Sequence, residues 1–182
     1  MAKPKVASDW LAGCAGCHMS LLDIDERLLK VIELADLRAT PITDLKTPGF
    51  DQGGVDVGIL EGGVNNSANE EVAHRMRENC KILVALGDCA VFGGVPAMRN
   101  FFPLEESLRR AYIETESTDA EGKIPDDPEL ATPTRVRSLQ DVVPVDVFVP
   151  GCPPDADTIF YALAELAQGR IPEIKTDKLH WD

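Results

Sequence analysis

Four of the five cysteines lie in three short turns that contain glycine. The turns read G-C-A-G-C at 13–17, G-D-C at 87–89 and G-C-P-P at 151–154, and each follows a run of residues typical of a β-strand. Open α/β sheets bind their ligands at the carboxyl ends of the strands. Cysteine thiolates are the usual ligands of iron-sulfur clusters. The pattern therefore predicts one iron-sulfur cluster at this edge of a sheet.

The spacing of the cysteines can be compared with that of other thiol and metal sites. Only Cys14 and Cys17 form a short pair, whereas Cys89 and Cys152 come singly from distant strand ends. A structural zinc site usually takes two short Cys or His pairs. Two alternatives stay open: a redox dithiol of the thioredoxin kind at the short pair, and a zinc-stapled interaction subunit with no redox function. Cys80 precedes the predicted strand at 81–86 and Cys89 follows it, so the two lie at opposite ends of that strand. We expect Cys80 in the core.

Length and composition favour a single domain over residues 1–182. Hydrophobic residues make up 44% of the chain and charged residues 27%, which is ordinary for globular proteins. We predict neither a membrane span nor a secretory signal, and we expect a cytoplasmic protein whose cysteines stay reduced. The formal net charge of -13 argues against nucleic acid as a partner, because such binding needs basic surface.

The order of the predicted elements indicates an α/β fold with a parallel sheet and helices on both faces. Strands are predicted at 5–11, 38–42, 56–61, 81–86 and 145–149, and helices at 21–35, 65–79 and 153–166. We interpret 81–86 and 145–149 as central strands, and Pro41 places 38–42 at an edge. Residues 114–134 contain seven acidic residues, one Lys and three prolines, and we predict an acidic surface insertion there.

Four motifs resemble the small subunit of cytosolic nickel-iron hydrogenases of the bidirectional NAD-reducing type. They are W-L-A-G-C-A-G-C-H-M-S at 10–20, E-G-G at 61–63, G-D-C-A-V-F-G-G-V-P-A-M-R-N at 87–100 and P-G-C-P-P-D at 150–155. That family is shared with the 20 kDa iron-sulfur subunit of NADH:quinone oxidoreductase. The resemblance implies a flavodoxin-like, doubly wound fold. It also implies one 4Fe-4S cluster with Cys14, Cys17, Cys89 and Cys152 as its ligands.

The resemblance also implies a function that depends on other chains. The nickel-iron centre, where H2 is oxidised or protons are reduced, would lie in a large subunit, and this chain would relay electrons to diaphorase subunits that carry FMN and further iron-sulfur clusters and reduce NAD+. A related subunit linked to F420, ferredoxin or a quinone, or part of a complex I-like assembly, is the alternative. No catalytic residue is then expected in this chain.

Two residues near the predicted cluster invite further roles. His18 follows Cys17 directly, and Glu61 ends a predicted buried strand, so either side chain could take part in proton transfer or face the partner. A capping or surface histidine and a carboxylate that caps the next helix are the alternatives. Met19 stands where many related subunits have a glutamate, which weakens any proton role carried over from the family. An FMN site is disfavoured, because Cys14 and Cys17 occupy the turn that would hold its phosphate.

Overall fold

A five-stranded parallel sheet forms the centre of the computed structural model, which describes residues 3–45, 54–119 and 121–175. The strands are β1 Lys5–Trp10, β2 Asp36–Ala39, β3 Val55–Glu61, β4 Val64–Asn66, β5 Cys80–Leu86, β6 Pro133–Arg137 and β7 Val147–Val149. In the large sheet the order is β2-β1-β3-β5-β7, with every pairing parallel. This is the flavodoxin-like order, and it confirms the predicted fold class.

Helices cover both faces of the sheet. They are α1 Gly16–Leu22, α2 Leu28–Leu34, α3 Ser67–Asn79, α4 Gly87–Phe92, α5 Leu104–Tyr112 and α6 Ala156–Ala167, with 3-10 helices at Asp25–Arg27, Val95–Phe101 and Leu139–Asp141. One core cluster joins the sheet to α6 and to Cys17 of α1, and the other joins it to α3 and α4. None of the helices described is long and apolar enough to cross a lipid bilayer.

Two of the inner strands, β3 and β5, are buried because both of their faces carry apolar side chains. Successive side chains of a strand point to opposite faces. Leu83 and Ala85 therefore pack in the core beneath α3 and α4, and Val84 and Leu86 pack in the core beneath α6. Burial on both faces fixes the ends of these strands, and the cysteine turns begin at those ends.

Two predicted elements near the start of the chain differ from the structure. The helix predicted over 21–35 is two α-helices separated by a 3-10 turn, and Asp25 at that turn has a left-handed backbone with φ of +57°. Both short helices contact α6, and apolar residues recur on both sides of the break between them. The predicted edge strand at 38–42 is β2, which among the described residues pairs only with β1; it ends before Pro41, where a ladder donor would be missing.

The later part of the chain holds a wrong prediction and an element that the sequence pattern does not reveal. The sequence predicts a central strand at 145–149, but β7 has three residues and, within the part of the chain that the structure describes, pairs only with β5, at the edge of the sheet. Val147 and Val149 are buried in the core beneath α6, and Phe148 packs against the core on the other face, which gives an edge strand the composition of a central one. The element that the sequence does not predict is the antiparallel pair of β4 and β6, two short strands outside the main sheet.

The acidic insertion at 114–134 stays a prediction. Described residues there are mostly exposed until β6 begins at Pro133.

Leu83 provides a test of the core, because its side chain is fully buried (0% exposed), whereas Leu29 on α2 is 66% exposed. We expect Leu83→Ala to lower the free energy of unfolding by about 2–5 kcal/mol, since it removes packed methyl groups and leaves a cavity. Leu29→Ala should change it by less than about 0.5 kcal/mol. Urea denaturation of both variants measures the difference, and equal losses would contradict the described core.

Candidate functional site

The turns after β1 and β3 meet where the strand order reverses. Ala12 and Gly63 exchange backbone hydrogen bonds, with the Ala12 N–H donating to the Gly63 carbonyl (2.9 Å) and the Gly63 N–H donating to the Ala12 carbonyl (2.8 Å). Gly62 between the strands has φ of +99°, and a Cβ there would lie 2.8 Å from the Ala12 oxygen. Only glycine allows this approach. The turn that carries Cys14 and Cys17 is thereby joined to the end of β3.

Asp88 lies beside Cys89 in the first turn of α4 and joins this helix to the turn that carries Cys152. Its backbone N–H donates to the Gly151 carbonyl (2.8 Å), and its carboxylate accepts the Gly151 N–H (2.7 Å). Asp88 therefore does more than shape its own turn, because it also holds the next one. The β5 and β7 ends lie together as a result.

Cys17 brings the first turn to the other two. A Cβ added at Gly87 would overlap the Cys17 Sγ atom, and the same position lies 3.5 Å from the Gly151 carbonyl oxygen. Gly87 has φ of +83°, which also favours glycine. All three predicted cysteine turns thus converge at the carboxyl edge of the sheet.

The thiols at this edge differ in exposure. All five cysteines of the chain are free; Cys14 and Cys152 are exposed, Cys89 is half-buried, and Cys17 is buried. Cys80 instead lies in the apolar core at the start of β5, as the sequence predicts. Among the residues described, no three His, Cys, Asp or Glu side chains form a group suited to a single metal ion. Cysteine thiols are the donors that iron-sulfur clusters take.

Glycines leave room around these thiols. A Cβ at Gly16 would lie 3.1 Å from Cys14 Sγ, and a Cβ at Gly94 would lie 3.0 Å from Cys89 Sγ. The Gly16 N–H donates to Cys14 Sγ at 3.4 Å. Backbone N–H groups near sulfur are the contacts that adjust the electronic properties of a sulfur-ligated metal. The glycines therefore allow close packing and, at Cys14, a hydrogen bond to sulfur.

The surroundings of Cys17 and Cys89 oppose ionisation of these two thiols. Burial raises the pKa of Cys17, and the Glu61 carboxylate and the thiols of Cys89, Cys14 and Cys152 raise it further. Burial also raises the pKa of Cys89, although a hydrogen bond from the Val95 backbone lowers it in part. Metal binding requires thiolates and displaces their protons.

Glu61 is the buried acidic group of this site, with 3% of it exposed. Its carboxylate accepts the backbone N–H groups of Cys17 (3.2 Å) and His18 (3.0 Å) and contacts Nδ1 of the His18 ring. Burial alone would raise the pKa of Glu61, but the His18 ring and the two N–H groups outweigh it, so the pKa lies below its usual range. The alternative of a cap for the next helix is therefore wrong, because Glu61 holds the first turn of α1 instead.

His18 links Glu61 to a network of buried hydrogen bonds. Its ring is fully buried, so the alternative of a surface histidine is wrong. Nε2 lies 2.9 Å from the Ser8 hydroxyl, which donates to Thr40 (2.9 Å), and the Trp10 indole N–H lies 3.0 Å from Nδ1. No sequence pattern predicts that Ser8, Trp10 and Thr40 belong to this hydrogen-bond network, because only the folded chain brings them close to His18.

The comparisons with known proteins agree with this geometry. The family described as NADH ubiquinone oxidoreductase, 20 Kd subunit, matches residues 14–166. The chain belongs to this family. The NAD-reducing hydrogenase HoxS subunit delta of Cupriavidus necator is 43% identical over 171 residues, which cover 92% of this chain and 80% of that protein. A subunit of the F420-non-reducing hydrogenase of Methanothermobacter marburgensis is 38% identical over 179 residues, which cover 97% of this chain and 58% of that protein.

Solved structures extend the likeness to the whole fold. A chain in the crystal structure of an NAD+-reducing nickel-iron hydrogenase in the H2-reduced state matches with a TM-score of 0.91, 40% identity and full coverage of both chains. A nickel-iron-selenium hydrogenase of Dm. baculatum matches with a TM-score of 0.62 and 17% identity over 98% of this chain and 69% of that one, which shows the fold alone. The resemblance inferred from the cysteine motifs is confirmed: the chain is a nickel-iron hydrogenase small subunit, part of an oxidoreductase.

Gly87 and Gly169 form a matched pair for testing the packing of Cys17. Both have positive φ, +83° and +75°, but nothing lies within 4 Å of a Cβ at Gly169. We expect Gly169→Ala to lower the free energy of unfolding by about 1–2 kcal/mol through backbone strain alone. Gly87→Ala should lower it by roughly 1–3 kcal/mol more, because Cys17 must also move. Urea denaturation measures both, and similar losses would show that Cys17 does not pack against Gly87.

Proposed function

We propose that this chain is the electron-transfer subunit of a hydrogenase and that Cys14, Cys17, Cys89 and Cys152 bind one 4Fe-4S cluster. The observation that supports it most is the convergence of the three cysteine turns through Gly87, Asp88 and Gly151. When bound, such a cluster accepts and donates single electrons at a potential set by its surroundings. The chain itself holds the cluster in position and excludes water from its inner side.

The residues present fit an iron-sulfur cluster in two respects. The donors are four free thiols, which are the soft ligands that iron-sulfur clusters require. Glycine lies against the sulfur of Cys14 (Gly16), Cys17 (Gly87) and Cys89 (Gly94), so the protein backbone can surround a bulky inorganic core closely. Because Cys14 and Cys152 are exposed, the outer side of such a cluster would lie at the surface of this chain, where a partner could cover it.

The partners follow from the proteins that this chain resembles. We infer that a large subunit supplies the nickel-iron centre and that diaphorase subunits with FMN and further iron-sulfur clusters pass the electrons to NAD+, or return them to make H2. NAD+ is favoured because the relative from Cupriavidus necator and the solved structure are both named NAD-reducing. An assembly with another acceptor is the second candidate, supported by the F420-non-reducing relatives. We place the assembly in the cytoplasm.

An exposed apolar surface follows Cys89 and suits the large subunit. We call it the Phe101 surface; it consists of Phe92, Val95, Met98, Phe101 and Phe102, all exposed. Soluble monomers rarely expose so many large apolar side chains in one stretch unless a partner covers them. Because the surface begins three residues after Cys89, a subunit bound there would shield the cluster edge from water.

The cluster itself is tested by metal analysis of cysteine variants. We expect the anaerobically purified assembly to contain about four irons and acid-labile sulfide in this chain. Cys89→Ser or Cys152→Ser should remove that iron and abolish H2-dependent NAD+ reduction, because each change removes one ligand.

Cys80→Ser is the matched control, since Cys80 lies in the core away from the other thiols. It should leave both iron content and electron transfer intact. Zinc in place of iron in the wild-type chain would establish the interaction-subunit alternative, and equal damage from Cys80→Ser would show that the four ligands are wrongly assigned.

The partner surface is tested with Phe101, whose side chain is 83% exposed. Phe101→Ser removes apolar area without disturbing the core, so the large subunit should no longer co-purify while the thermal unfolding temperature of the chain stays unchanged. Ile171→Ser, an exposed apolar residue after the end of α6, should keep the complex intact. Co-purification of the large subunit at wild-type yield with Phe101→Ser would exclude this surface as its binding site.

A further inference from the structure

The buried carboxylate of Glu61 is more than a hydrogen-bond partner of one residue. It accepts the consecutive N–H groups of Cys17 and His18 and also contacts the His18 ring, so a side chain from the end of β3 fixes the backbone around a cysteine of α1. Ala15, which precedes α1, has no side chain that could do this and has a left-handed backbone with φ of +65°. The backbone at Cys17 therefore depends on a residue from another strand.

His18 in turn holds Glu61. A buried carboxylate is costly unless its oxygens are paired, and here both oxygens have partners from the same two residues. The imidazole is itself fixed on its far side by the Ser8 hydroxyl. The carboxylate cannot turn away without breaking several buried hydrogen bonds. Its position relative to Cys17 is therefore set before any cluster is present.

The negative charge of Glu61 also lies close to the proposed ligands. Its Oε1 atom is 4.0 Å from a Cβ position at Gly13, and Glu61 and Cys14 line the same cavity of about 210 Å³. The same Oε1 atom lies 3.2 Å from the backbone nitrogen of Cys17. A fixed negative charge in a poorly solvated site opposes the arrival of a further electron.

We propose that Glu61 is a positioning residue with two separable effects: its reach holds the Cys17 backbone ready for the cluster, and its charge lowers the reduction potential of that cluster. The inference rests on the proposed function, since it needs a cluster at the four cysteines. Reach and charge can be separated because Gln and Asp each retain one of them. Gln keeps the length of the side chain and one carbonyl acceptor, whereas Asp keeps the charge but is one methylene shorter.

Asp146 provides the matched control. It is also a carboxylate that accepts a backbone N–H, that of Leu83 (2.7 Å), and pairs with a basic side chain, Arg77. It precedes β7 and so lies at the opposite edge of the sheet from the cysteine turns. Asp146→Asn removes the same unit of charge from the chain as Glu61→Gln does, but far from the site.

The experiment compares Glu61→Gln, Glu61→Asp and Asp146→Asn with the wild-type chain, each purified anaerobically with its partner subunits. Potentiometric titration followed by electron paramagnetic resonance measures the midpoint potential; the signal of this chain's cluster is the one missing from Cys152→Ser. Iron loss to a chelator measures how firmly the cluster is held. We expect a more positive midpoint potential for Glu61→Gln with the cluster retained. For Glu61→Asp we expect an unchanged potential and iron loss roughly tenfold faster.

An unshifted potential in Glu61→Gln overturns the proposal, as does a shift of the same size in Asp146→Asn, which would reflect net charge rather than position. Iron loss at the wild-type rate from Glu61→Asp removes the positioning effect. Loss of the folded chain in both Glu61 variants would assign the residue a purely structural role, against the proposal. Absence of iron and sulfide from the wild-type chain would instead refute the proposed function, which keeps the two failures distinct.

Discussion

The contact between the Cys17 sulfur and the backbone of Gly87 is the constraint on which the site depends. It joins a turn near the start of the chain to the end of an inner strand, and it leaves no space for a side chain at position 87. Asp88, next to Gly87, is joined to Gly151 by two hydrogen bonds. Three segments that are far apart in sequence therefore meet through backbone contacts, and the four thiols come together only if all of these contacts form.

The sheet makes such a junction possible because its strands are parallel. The turns that bear Cys14, Cys89 and Cys152 follow β1, β5 and β7, whose carboxyl ends all lie at one edge. Register along the inner strands is set by cores on both faces, and a slip of one residue would move every apolar side chain to the wrong face. The apolar core thus supports the site indirectly: it fixes where each strand ends, and the glycines then determine how closely the turns approach.

How much of this can be predicted from the sequence depends on whether the signal is local. The cysteine turns and the apolar strands at 55–61 and 80–86 carry their own patterns, and a turn signal after a strand is enough to place a cysteine at the sheet edge. The helix at 21–35 is predicted as continuous because apolar residues recur on both sides of the break at Asp25, and no glycine or proline marks that break. The strand at 147–149 looks central because a helix covers it. The pairing of Glu61 with His18 joins residues 43 positions apart, and no spacing rule connects them.

Glu61 and His18 form a buried polar pair, and burying such a pair costs stability unless its polar atoms are hydrogen-bonded. A carboxylate and an imidazole at the edge of an apolar core would be destabilising without partners, and replacing them with apolar side chains is the simpler way to gain stability. Here every partner is in place: two backbone N–H groups, the ring and the Ser8 hydroxyl. The same hydrogen bonds that satisfy Glu61 also fix the backbone of Cys17, so the groups that stabilise the buried charge are the groups that position the thiol. A requirement for a fixed Cys17 backbone and a nearby carboxylate explains this arrangement better than the stability of the fold does.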